Sequence, residues 1–212
     1  TLRTLFPYTT LFRSYFDTLK SLDFQKTLKN TLTLGVTVGF LSTLIGFIFA
    51  YADSYIKSHF KKLFKVVSLL PIISPPFVLA LSAIMLFGQY GLITRKLFGI
   101  QNANIYGFHG LVMVQTMTFF PVAYLLLTGL LKRIDPSLEE AARNMGASRW
   151  KTFKTVTLPL MAPGLANAFL LTFIETVADF SNPMVIGGNY STLATQIRSE
   201  ERRVGKECSQ GV

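Results

Sequence analysis

The chain has 212 residues, 50% of them hydrophobic and only 15% charged, with a mean hydropathy of +0.41. That is too apolar for a soluble domain of this size and points to a protein that crosses a membrane several times. Lysine and arginine outnumber aspartate and glutamate 21 to 11; the basic residues cluster between apolar runs, so membrane topology explains them better than nucleic acid does. Cys208 is the single cysteine, which excludes an internal disulfide and a cysteine-built metal cluster. His59 and His109 stand alone, and the chain has no Gly-rich phosphate loop, nucleophile–base set or zinc-ligand spacing. No catalytic residue, metal or cofactor is expected of it.

Thr1–Ser14 (TLRTLFPYTTLFRS) and Arg198–Val212 (RSEERRVGKECSQGV) resemble translated sequencing-adapter sequence and are read as non-native ends. Residues 15–30 are polar, with a weak helical pattern in Phe16, Leu19 and Leu22, and read as an external lead-in. Residues 31–51 form the first uncharged span; 21 residues at about 1.5 Å each cover roughly 30 Å of hydrocarbon. Gly35, Gly39, Ser42 and Gly46 give it a small-residue stripe that lets another helix approach closely. Ala52–Lys65 carries four lysines against Asp53 and reads as a cytoplasmic loop.

The second span, 66–87, is interrupted by Pro71 and by Pro75-Pro76, so its helix is expected to kink or restart there. Broken backbone at membrane depth needs cover from protein or a water-filled cavity, which marks Ser74–Phe77 as facing inward. Gly88–His109, with only Arg95 and Lys96 charged, is the external loop, and Leu92–Leu97 is a short re-entrant or surface helix. The third span, 110–131, contains Gln115 and Pro121; Gln115 is expected to bond a neighbouring helix, and a substrate contact is the alternative. The fourth span is 160–181, and 182–197 is uncharged and turn-rich. The two inner loops hold ten basic residues and the enclosed outer loop two, which places 132–159 in the cytoplasm. The fold expected is all-α, a polytopic transmembrane helix bundle.

The loop 132–159 has its own organisation. Asp135-Pro136 is a helix start, with a side-chain acceptor at the N-cap and a proline at the first position. Leu138, Ala141, Ala142 and Met145 recur on one face, Glu139 and Glu140 sit where the helix dipole favours negative charge, and Gly146 suits a left-handed end. Ser148 caps a second short helix carrying Trp150 and Phe153, and Pro159 is expected to interrupt it. From periodicity alone, an interfacial helix lying on headgroups is an equal reading.

The spacing separates the two. Glu140-Ala141-Ala142, three residues, Gly146, nine residues, then Val156-Thr157-Leu158-Pro159 resembles the EAA loop of ABC-importer membrane subunits, with Val156 in place of the family's isoleucine. Leu70-Pro71 through Gly88 looks like the second-span region of these permeases. Glu175–Ile197 (ETVADFSNPMVIGGNYSTLATQI) is similar to the ferric-iron permeases among them.

The resemblance implies a truncated type I importer permease, multi-pass in a bacterial inner membrane, part of the first of two permease halves. Glu140, Ala141, Ala142, Met145, Gly146, Trp150, Leu158 and Pro159 would couple it to a cytoplasmic ATPase dimer that binds the ATP. The other partners implied are a periplasmic substrate-binding protein, a second permease half or subunit, and membrane lipid. Thiamine, sulfate and polyamine are alternative solutes. A secondary transporter is the alternative of a different class, and it has no use for a docking helix.

Glu175 and Asp179 are four apart and so are expected to share one face toward the outer end of the fourth span. Carboxylates in a span usually face protein or water. They either reach headgroups or bond a neighbouring helix, or they line a cation path together with Pro75, Pro76 and Gln115.

Overall fold

The structure, a computed structural model, describes residues 21–55, 61–97, 99 and 104–199. The adapter-like residues 1–14, residues 15–20 of the lead-in, His59, Cys208 and the tail from residue 200 lie outside the described residues, as do 56–60 and 100–103. Among the described residues every regular element is helical. In chain order these are α1 (Leu22–Tyr55), α2 (Lys61–Ile73), α3 (Pro76–Phe87), a wide π-helical turn (Leu92–Leu97), α4 (Phe108–Leu131), α5 (Pro136–Asn144), α6 (Arg149–Thr152), a second π-helical turn (Phe153–Thr157), α7 (Leu158–Ala178) and α8 (Ser181–Ile186). Residues 193–199 close the description with a further helical stretch. Four stretches are long and apolar enough to cross a membrane: Leu22–Tyr55, Phe77–Arg95, Phe108–Leu131 and Arg149–Ala178.

α1, α4 and α7 form the centre of the bundle and pack on one another along their lengths. The small-residue stripe of α1 serves two neighbours. Gly35 and Gly39 face Phe173 and Phe169 of α7; a Cβ at Gly35 would lie 2.8 Å from the Phe173 ring. Gly46 faces α4, where a Cβ would lie 2.7 Å from that of Ala123 and 2.8 Å from the Tyr124 nitrogen. Thr172 Oγ1 of α7 lies 3.3 Å from the Gly39 carbonyl, with the Ala168 carbonyl of its own helix nearer at 2.9 Å.

The buried apolar residues divide into two clusters. Leu34, Val38, Ala80, Ala83, Ile105, Leu111, Val114 and Ile186 form one. Ala50, Ala123, Tyr124, Leu127, Leu131, Met161 and Ala168 form the other.

Several boundaries differ from the sequence-based expectation. The second span restarts rather than bends: α2 ends at Ile73, Pro75 sits in extended conformation, and Pro76 takes the first position of α3. Pro71 is tolerated inside α2. The lead-in is the outer end of α1 from Leu22 onward, held where Tyr190 donates to the Asn30 carbonyl at 2.7 Å and the Leu193 N–H donates to Thr31 Oγ1 at 2.9 Å. At its other end α1 runs on through Asp53, which is buried rather than in a loop.

Candidate functional site

The unit between α4 and α7 is built from capping chemistry. Asp135 Oδ1 accepts the Ser137 N–H at 2.9 Å and starts α5, with Pro136 in its first turn. That bond favours the charged form and holds the exposed Asp135 carboxyl below its ordinary value. α5 ends in a Schellman turn. The Ala147 N–H reaches the Ala142 carbonyl at 3.1 Å, the Gly146 N–H reaches that of Arg143 at 2.9 Å, and Gly146 adopts φ +83°. A Cβ at Gly146 would meet nothing within 4 Å, so it is the backbone conformation alone that requires glycine. Ser148 Oγ then accepts the Lys151 N–H at 3.3 Å and starts α6.

Pro159 does not break the helix. The helical path continues from Arg149 to Ala178, because Phe153–Thr157 widens to π geometry and the Leu158 N–H bonds back five residues to Phe153. The widened turn accommodates the proline ring and its missing donor, which would otherwise kink an α-helix. α6 and the fourth span are thus one continuous helical path.

The unit turns most of its apolar residues away from its own chain. Of α5, only Ala142 is buried. Leu138, Glu140 and Ala141 are exposed, as is Met145 just past the helix end, at 83%. Leu158 and Pro159 are exposed as well. Trp150 stands apart from this face: it is stacked on Phe153 at 5.5 Å, with the Lys154 ammonium 4.9 Å over its ring. Phe153 in turn meets the Tyr51 ring of α1 edge-on at 5.3 Å.

Glu139 is unremarked by its sequence context, yet it joins three elements. Its Oε1 accepts hydrogen bonds from the Tyr55 hydroxyl at the end of α1 and from Thr157 Oγ1 in the π-helical turn, the latter at 2.7 Å. Thr157 is buried. In the sequence Glu139 looks like any first-turn acid; a threonine and a glutamate flanking one turn are too weak a signal to mark the joint.

At its C-terminal end, α7 stops at Ala178 and the backbone of Asp179 turns extended. Asp179 Oδ1 accepts the N–H groups of Ser181 at 2.9 Å and Asn182 at 3.4 Å, so it caps α8. Its Oδ2 accepts Gln115 Nε2 and Asn182 Nδ2, each at 2.8 Å. Gln115 is fully buried and Asn182 nearly so. Gln115 therefore does bond a neighbouring segment, and Asp179 is drawn inward, while Glu175 one turn earlier stays exposed. The two carboxylates do not share an exposed face. Pro75 is exposed in the break before α3; α3 packs on α8, the helix that Asp179 caps. Among the described residues no three His, Cys, Asp or Glu side chains gather into a group that could hold a metal.

Comparison with known proteins places this architecture. The chain is 41% identical over 176 residues to the ferric transport system permease FbpB of Actinobacillus pleuropneumoniae, covering 81% of this chain and 26% of that protein. It is 33% identical over 123 residues to the molybdenum transport system permease ModB of Escherichia coli K12, covering 57% of this chain and 53% of that one. It thus spans about a quarter of the length of the ferric permease. In fold it is similar to a bacterial alginate ABC transporter crystallised with an alginate pentasaccharide-bound periplasmic protein, with a TM-score of 0.75 at 18% identity over 92% of this chain and 72% of that chain. Residues 42–202 match the model of the family described as the binding-protein-dependent transport system inner membrane component, and the chain belongs to that family of multi-pass ABC-importer permeases.

Proposed function

We propose that this chain forms part of the membrane path of an ATP-driven ferric-iron importer, and that the outward side of α5 and its glycine turn, with Leu138, Glu140, Ala141, Met145 and Gly146, is the face on which a cytoplasmic ATPase dimer docks. The observation that carries the docking is the outward apolar face of α5. Leu138, Ala141 and Met145 are exposed beside a rigid glycine turn, between two membrane spans. An apolar patch rimmed by Glu140, Arg143 and Arg149 marks a protein contact.

Glu140 and Gly146 shape that face, and Leu158 and Pro159 set the start of the span it would move. ATP chemistry belongs to the partner, and a periplasmic binding protein and a second permease half complete the assembly. Iron as the solute is supported by the higher identity, over a longer stretch, with the ferric permease than with the molybdenum one. The exposed Glu175 carboxylate suits a cation and Pro75 and Pro76 supply the break in the path, while Gln115 and Asp179, bonded to each other inside the bundle, hold the segment beside it.

The test uses the assembled transporter in its native membrane. Gly146→Val together with Ala141→Glu should abolish co-purification of the ATPase and iron uptake while membrane insertion survives. Retained co-purification contradicts the docking. Uptake of molybdate in preference to ferric iron contradicts the solute, and uptake that persists after ATP depletion with ion gradients intact contradicts the ATP-driven class.

A further inference from the structure

We propose that Glu139 is the positioning residue that makes the docking helix, the first span and the fourth span move as one body. The inference rests on the docking reading above and concerns how motion leaves the docking site. α5 is joined by short covalent connections to α4 through 132–135 and to α6 through the Gly146 turn. It has no such connection to α1, whose last residue, Tyr55, lies 84 positions away in the chain.

Glu139 Oε1 bridges that gap. One carboxylate oxygen accepts from Tyr55 of α1 and from Thr157 at the head of α7. Farther into the membrane the same two helices are pressed together at Gly35 and Gly39, against the Phe173 and Phe169 rings. α1 and α7 are thus tied at mid-span by close packing and at the cytoplasmic end through a side chain of α5. Hydrogen bonds to an ionised acceptor are the stronger kind, and hydroxyl donors reorient without moving backbone. Such a bond holds through a small rotation of the docking helix and passes the displacement on. The π-helical turn that presents Thr157 is a local departure from α geometry of the kind found at functional positions.

A purely local role makes a different prediction. If Glu139 only complements the helix dipole of α5, its partners do not matter. The discriminating variants are therefore at the partners as well as at Glu139. In the complete transporter reconstituted with its ATPase and binding protein, solute transported per ATP hydrolysed should fall about tenfold in Glu139→Ala, the scale expected from losing hydrogen bonds to a carboxylate. Tyr55→Phe and Thr157→Val should each give a smaller fall, and Glu139→Gln, which keeps an acceptor oxygen, should recover most of the loss. ATPase co-purification and the amount of permease in the membrane should stay unchanged in all four.

Full coupling in Glu139→Ala, or in both Tyr55→Phe and Thr157→Val, overturns the proposal. So does a parallel loss of ATPase binding, which would make Glu139 part of the docking face or of folding. Ala141→Glu separates this failure from that of the docking reading. If it leaves the ATPase bound, docking itself is wrong and the joint falls with it; if it releases the ATPase while Glu139→Ala stays coupled, only the joint is wrong.

Discussion

The two ends of α7 solve opposite problems with similar residues. At the outer end, Asp179 is surrounded by donors from its own chain: Gln115, Asn182 and two backbone N–H groups occupy both its oxygens. At the N-terminal end, beside the 132–159 loop, the order is reversed. The acids Asp135 and Glu139 are spent on caps and joints, and the apolar residues Leu138, Ala141 and Met145 are turned outward. A polar group satisfied from within marks structure, and an apolar group left uncovered marks a partner. The difference between the ends therefore separates the part of the chain that holds itself together from the part proposed to address another protein.

That contrast breaks most readily at Asp179. Asp179→Ala removes the acceptor for the Gln115 amide, which is fully buried, and for the cap of α8. The expected loss is about 3 kcal/mol, set by burying unsatisfied donors, and it should appear as a lower midpoint of thermal unfolding in detergent. Asp179→Asn keeps an acceptor oxygen and should lose less. If Asp179→Ala is as stable as the parent but transports poorly, the carboxylate belongs to the path and not to the scaffold.

Gly146→Ala tests the cytoplasmic end with a smaller effect. The left-handed conformation costs a residue with a Cβ about 1–2 kcal/mol, and space is not an issue, so Gly146→Asn should be tolerated better than Gly146→Ala. Hydrogen exchange of the Ala147 amide, which bonds the Ala142 carbonyl, reports the turn directly.

The smallest effect is at Asp135. Its carboxyl is held below the ordinary value near 3.9 by the Ser137 N–H it accepts. A depressed acid stabilises its helix above the unfolded pKa, and the contribution fades as the pH falls through the folded one. Exchange protection at the start of α5 should therefore hold from neutral pH down to about pH 4 and decline below it. In Asp135→Asn that acid-side decline should disappear.

Much of this was legible in the chain. Asp135-Pro136, Gly146 and Ser148 each announce a cap through local chemistry, and each forms as its residue type dictates. Three of the apolar runs fall on membrane-length stretches because length and apolarity are local properties, whereas the second, 66–87, is split at Pro75 and the membrane-length stretch there is Phe77–Arg95. The Gly35–Gly46 stripe signalled close packing, but that it serves α7 at one end and α4 at the other depends on where those helices sit. What could not be read was set by the local backbone path or by neighbours distant in sequence. Pro159 is a helix breaker by type, and only the π-helical turn before it carries the helix through. Asp179 and Glu175 look like one helical face until the need to cap α8 pulls Asp179 out of the helix toward Gln115. Glu139 acquires a role only when Tyr55 is brought to it across 84 residues.

The central claim, that the outward face of α5 is a docking surface for an ATPase, is tested most directly by a cysteine at Met145, the most exposed of its apolar positions at 83%. In inverted membrane vesicles, Met145→Cys should react with a water-soluble maleimide when the ATPase has been stripped, and should be protected when the ATPase is restored. A cysteine that reacts equally with and without the ATPase, or that is labelled from the outer side in intact cells, would contradict the account.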